Sequence, residues 1–203
     1  DPDNAPKFLQ WNIEGVEIPS PNHFANLSVF GGGGLTALSS NLLDNSDFLT
    51  GAFPAQYSNA ISGVFDIRMR NGNSTEFAHS VEVGIIGIDL ASEGPLGISD
   101  NSSYLFNYRY STLGLLEPIL PEDAQGTNYQ DLAFKLKLPT DWGGNFSIWG
   151  IGLIDNSGQS IEQDVSLRKY YQDIEEEKVK QYMGTIGINN KLIVSNTGFI
   201  NTV

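Results

Sequence analysis

From Glu76 onward the chain keeps a period of two, and this limits its fold more than any other feature. In Tyr104 to Thr112, Tyr104, Phe106, Tyr108 and Tyr110 point one way, while Leu105, Asn107, Arg109 and Ser111 point the other. In Asp131 to Leu138, Leu132, Phe134, Leu136 and Leu138 oppose Asp131, Ala133, Lys135 and Lys137. Phe77, His79, Val81, Val83 and Ile85 likewise face away from Ala78, Ser80, Glu82 and Gly84. Ile186, Ile188, Leu192 and Val194 repeat the pattern, with Asn190 intruding on the apolar side. Such alternation specifies strands with one apolar and one polar face.

The first seventy residues lack this rhythm. Strands are expected at Gln10–Val16, Asp47–Thr50 and Val64–Arg70, with a short helix or strand near Leu35–Leu43. A Pro- and Asn-rich loop, "IPSPNHFANLSVFGGGG", lies between them. Gly and Pro at this density predict an α+β segment with long loops. The change at Asn71 divides the chain into residues 1–70 and 71–203. Charge does not mark that boundary, since both parts are acidic.

Eleven basic against twenty-four acidic residues give a net charge of −13. This excludes the concentrated basic surface that nucleic acids require. With no cysteine, there is neither a disulfide framework nor a thiolate metal site. Two histidines far apart in sequence do not form a metal motif, and no cofactor is expected. Gly31–Gly34 is followed by Leu35-Thr36 rather than Lys-Ser/Thr, so it is read as a turn and not a phosphate cradle. No nucleophile–base ordering stands out, and catalysis is not expected. No apolar run reaches the length of a membrane helix.

The connections vary in length. "GISDNSS", "DWGG" and "SNTG" are short polar turns, whereas Glu117–Asn128 and Asp155–Gln181 are long polar stretches. Short turns at one end and long loops at the other are the habit of an outer-membrane barrel. The pattern gives about seven strands, each near the length a tilted strand needs to cross a bilayer. Soluble β-sandwiches also alternate, and periodicity leaves both architectures open. The apolar face is aromatic, as a lipid-facing surface would be. The other face carries Glu82, Asp89, Glu93, Arg109, Lys135, Lys137 and Lys191, which suits a watery or plugged lumen.

"WNIEGVEIPSPNHF", followed some thirty residues later by "FLTGAFPAQYSNAISGVFDIRMRNG", resembles the second half of the plug domain of TonB-dependent outer-membrane receptors. The form is similar to receptors of Bacteroidetes-type Gram-negative bacteria. Glu14-Gly15-Val16 stands for the family's Asp-Gly-Ile/Val element. Gln56 to Arg68 stands for its Tyr-Gly-Gly-Val-Ile-Asn-Ile run, with Glu14, Ser62 and Phe65-Asp66 as departures. The likeness covers about residues 8 to 112 well, and the later strands by pattern alone.

The resemblance implies the C-terminal half of a plug in residues 1–70, then the first strands of a transmembrane antiparallel β-barrel in residues 71–203. The family's barrel has 22 strands around a plugged lumen. Seven strands are an incomplete wall, so the chain is expected to be part of a longer protein. The implied function is active uptake of a scarce nutrient, an iron chelate, vitamin or glycan, across the outer membrane. Expected partners are the ligand, outer-membrane lipid and the inner-membrane TonB complex, whose contact segment is not in this chain. A surface lipoprotein is a further compatible partner. Asn22, His23 and Phe24 occupy the apical loop and are expected to touch ligand. Arg68 and Arg70 share a face and are expected to meet barrel acids, Glu82 or Glu93. The alternative is a stand-alone secreted β-protein that binds carbohydrate or acts as an adhesin.

Overall fold

The structure is a computed structural model that describes residues 9–25, 35–57, 60–112, 128–159, 165–166, 168, 174 and 177–203. Gly31–Gly34, most of Glu117–Asn128 and most of the stretch between Asp155 and Gln181 lie outside the described residues. The fold is mostly antiparallel β-sheet.

The first part forms a small four-stranded sheet from β1 (Leu9–Ile13), β2 (Val16–Ile18), β5 (Asp47–Leu49) and β6 (Gly63–Ile67), in the order β2-β1-β6-β5. Between them β3 (Asn22–His23) pairs with β4 (Leu35–Thr36). The strand expected over Gln10–Val16 is a hairpin instead. Glu14 and Gly15 both have positive φ, 53° and 86°, as a two-residue hairpin turn of the tight type requires. Ile13 then pairs with Val16 across it. The β1–β6 pairing is parallel, with Leu9 opposite Gly63 and Ile13 opposite Ile67.

No α-helix occurs among the described residues, so the helical component expected of an α+β segment is not seen there. The one helical feature near Leu35–Leu43 is a three-residue 3-10 turn at Ser40–Leu42, where the Ser39 side chain accepts from the Asn41 amide. Flanking turn and β conformations leave no run long enough to propagate a helix.

The second part is a seven-stranded antiparallel sheet in sequence order. Its strands are β7 (Ala78–Val83), β8 (Gly87–Pro95), β9 (Ser103–Ser111), β10 (Asn128–Thr140), β11 (Gly144–Gln159), β12 (Glu177–Ser195) and β13 (Gly198–Thr202). β11 and β12 have 16 and 19 residues, longer than the sequence pattern indicated. Asn190, the residue out of pattern, lies within β12 opposite Phe146 of β11 and donates to the Gly143 carbonyl of the β10–β11 turn at 2.8 Å.

Cross-strand register sorts the side chains as the alternation predicts, but burial is inverted relative to a soluble sheet. Val81, Val83, Leu90, Tyr110, Ile186 and Ile188 are exposed, Val83 and Ile186 to 75 % each. On the opposite face Asn107, Asp131, Lys135 and Asp155 are buried. The hydrophobic core lies on this same polar face. Ile13, Ile18, Leu38, Leu42, Ile67 and Met69 of the first part pack against Leu105, Ala133, Trp149, Ile151 and Leu153 of the sheet. Trp149 lies flat over its cross-strand neighbour Gly187, where any Cβ would collide with the indole.

Candidate functional site

Two charged clusters, with the Arg70–Glu93 pair as a third contact, fasten the N-terminal segment to the large sheet. The first is built on His23. The β3–β4 pairing sets its imidazole against β10 and β11, where it is wholly inaccessible. Nε2 lies 2.8 Å from Asp131 Oδ2 and Nδ1 lies 3.2 Å from Asp155 Oδ2. The Phe24 amide, at a residue with φ of 59°, donates to the same Asp155 oxygen at 3.2 Å. Arg109 grips Asp131 with Nε and one terminal nitrogen, at 3.0 and 2.8 Å, and also donates to the Thr36 carbonyl. The Tyr129 ring stands 4.8 Å from the imidazole.

Register explains this convergence. Arg109 and Asp131 are directly opposite on β9 and β10, while Tyr129 is opposite Asp155 on β10 and β11. Burial acts to lower the pKa of His23. Hydrogen bonds and charge from Asp131 and Asp155 act the other way and outweigh it, so the pKa stands above the ordinary 6.5.

The second cluster is built on Glu14. Its carboxylate accepts from the Met69 amide at 2.7 Å and from Lys135 Nζ at 2.9 Å. Lys135 also donates to the Met69 carbonyl at 2.6 Å. Asn189 bridges onward, accepting from the Trp149 indole at 2.9 Å and donating to the Glu14 carbonyl at 2.7 Å. Glu14 and Phe24 are thus both non-glycine residues in the left-handed region, and each is held by bonds to the sheet. Such strain persists where surrounding contacts over-determine it.

Of the residues singled out from sequence, Asn22, His23 and Phe24 are not presented at an open surface. His23 and Phe24 are buried, and the Asn22 carbonyl accepts from Gln181 at 3.2 Å. Arg70 and Glu93 are brought together in a bidentate pair, at 2.7 and 2.9 Å, and Glu93 also accepts from the Asn73 amide at 2.8 Å. Arg68 points elsewhere, exposed and 3.7 Å from Asp66 of its own strand. Glu82 is exposed on the outermost strand, opposite Asp89. The sequence reading assigned no site role to Asp131, Asp155, Lys135 or Glu14. Asp131 and Lys135 were visible only as members of a polar face. Glu14 was visible only as part of the strand expected over Gln10–Val16 and as a departure in the Glu14-Gly15-Val16 element.

An open cavity of about 680 Å³ lies beside the Glu14 cluster, lined in part by Asn12, Arg68, Lys135, Lys137 and Lys191. Among the described residues no group of three or more His, Asp or Glu is placed to hold a metal ion, and no helix is long and apolar enough to cross a membrane. No protein-family model matches the chain, and no curated protein sequence matches it.

Proposed function

We propose that this chain is the C-terminal half of a plug and the opening wall strands of a TonB-dependent outer-membrane transporter. Its function is then nutrient uptake energised through the inner-membrane TonB complex, and it is not an enzyme. The observation that carries this reading is the inverted burial of the seven-stranded sheet. Its aliphatic and aromatic face is bare, with Val81, Val83, Ile186 and Ile188 at 59–75 % exposure. Its polar face is covered by the N-terminal segment over β9, β10 and β11, whereas β7 is exposed on both faces. A soluble protein would place a second layer over the apolar face, and none of the described residues forms one. A lipid-facing wall around a polar, plugged lumen needs this arrangement.

The sheet's two outer strands, β7 and β13, support the same reading. Each has one side without a strand neighbour, and backbone groups left so in hydrocarbon are costly unless further strands close the wall. The N-terminal segment is held to the sheet mainly by side chains, which suits a body that must shift while the wall stays intact. Nutrient class and a lipoprotein partner are left to the loops.

None of the chain's residues is a cysteine, so an introduced thiol is read against no background from it. In Gram-negative outer membranes, Ile186→Cys should react with a lipid-soluble maleimide and resist a water-soluble one. Thr185→Cys, on the opposite face, should not share that lipid-phase preference. Rapid labelling of Ile186→Cys by the water-soluble reagent would overturn the membrane assignment.

A further inference from the structure

We propose that His23 is a proton-operated clasp: a buried imidazolium that fastens residues 22–24 to β10 and β11 and lets go when it loses its proton. The proposal deepens the transporter reading and rests on it for its meaning, since the clasp would govern how one end of the plug is held in the lumen.

The first argument is hydrogen-bond accounting. An ionised carboxylate only accepts, and a neutral imidazole has one donor and one acceptor nitrogen. His23 meets a carboxylate at each nitrogen, Asp131 at 2.8 Å and Asp155 at 3.2 Å. Only the doubly protonated ring satisfies both. The second argument is charge balance. Among the described residues, the ionisable groups facing the ring are Asp131 and Tyr129 from β10 and Asp155 from β11, with Arg109 from β9 behind Asp131. With the imidazolium, His23 and Arg109 offset Asp131 and Asp155, and Asp89, opposite Arg109 on β8, adds a further carboxylate beyond them. Without its proton the cluster keeps an unbalanced carboxylate in a place where neither His23 nor Asp155 reaches water.

The third argument locates the effect. Asp155 holds the segment twice, through the imidazole and through the Phe24 amide, and its other oxygen is buried without a hydrogen-bond partner among the described residues. Once a lone pair faces it, Asp155 is stabilised by hydration, and the simplest route to water is to part from residues 22–24. The direction of the pKa supports this. A group whose folded value lies above its unfolded value stabilises the closed state fully below about pH 6.5, and that contribution fades as pH rises through the raised value.

The test uses the whole chain, labelled with ¹⁵N-histidine, in detergent micelles. His23 is assigned by the signal that His23→Gln removes, and exposed His79, beside the Ser92 hydroxyl at 3.0 Å, gives the comparison signal. His23 should show two protonated ring nitrogens at neutral pH. The hydrogen-exchange protection factor of the Phe24 amide should fall about tenfold per pH unit across its titration. His23→Gln should show low protection with no such fall, and Asp155→Asn should move the fall to lower pH. A single neutral tautomer at neutral pH would overturn the clasp. So would an imidazolium whose titration leaves Phe24 protection unchanged. The maleimide test at Ile186 reports on the membrane reading alone, so failure of either idea is distinguishable from failure of the other.

Discussion

Among the described residues, the N-terminal segment meets the seven-stranded sheet through three ionic contacts of unequal burial. His23, Asp131 and Asp155 are essentially inaccessible. Glu14 and Lys135 side chains keep 12 % and 8 % exposure, and Arg70 and Glu93 keep 34 % and 19 %. Chemistry is similar in all three, so differences in their worth come from solvent. Breaking a dry pair leaves a charge with nothing to replace its partner, whereas water repairs a wet one. The segment should therefore be pinned hardest at the His23 end and more loosely towards Arg70.

Asp131→Asn breaks this comparison at its strongest point. It removes the partner of both His23 and Arg109, and should destabilise docking by about 3–5 kcal/mol. Native-state hydrogen exchange at residues 22–24 reads this directly. A loss below about 1 kcal/mol would mean that the cluster is wet in solution. Glu14→Gln comes next. It keeps an acceptor for the Met69 amide but lowers the charge facing Lys135, and should cost about 1.5–3 kcal/mol, measured by denaturant unfolding in detergent. The left-handed conformation of residue 14 is retained in that variant, so any loss reflects the carboxylate and not backbone strain.

Much of the sheet was legible because alternation with period two is a local property. Tyr104 to Ser111 alone tells which side chains share a face. What it cannot tell is which face is covered, because that depends on what lies over it. Here Leu105, Trp149 and Ile151 on the polar face meet the N-terminal segment, while no layer of the described residues lies over the cleaner apolar face. The hairpin at Glu14-Gly15 was half legible: a glycine after an acidic residue is a turn signal, yet it was read as the end of one strand. The His23 cluster was not legible. Its partners lie 108 and 132 residues away in sequence, and no spacing rule spans such distances. His23 attracted attention as a polar ring in a loop, which is also how a ligand-contacting residue looks. Only the placement of β3 against β10 and β11 separates the two.

The smallest effects test whether burial, and not mere pairing, sets the order. Arg68 and Arg70 alternate with Ile67 and Met69 and look equivalent in sequence. Arg70 places Nε 2.6 Å from the Asn41 carbonyl and both terminal nitrogens on Glu93, so its planar fork is used in full. Lysine is a point charge and cannot reproduce that geometry. Arg70→Lys should therefore cost about 1 kcal/mol, a value between the dry cluster and an ordinary surface pair. Arg68 has 62 % of its side chain exposed and a single contact of 3.7 Å. Arg68→Ala should change the unfolding midpoint by less than the equivalent of about 0.5 kcal/mol. Equal losses for Arg70→Lys and Arg68→Ala would mean that the guanidinium fork at Glu93 adds no more than an exposed arginine side chain does. A clear gap between them would place the effect in the Glu93 contact itself, because the two arginines lie two residues apart just beyond β6 and carry the same charge.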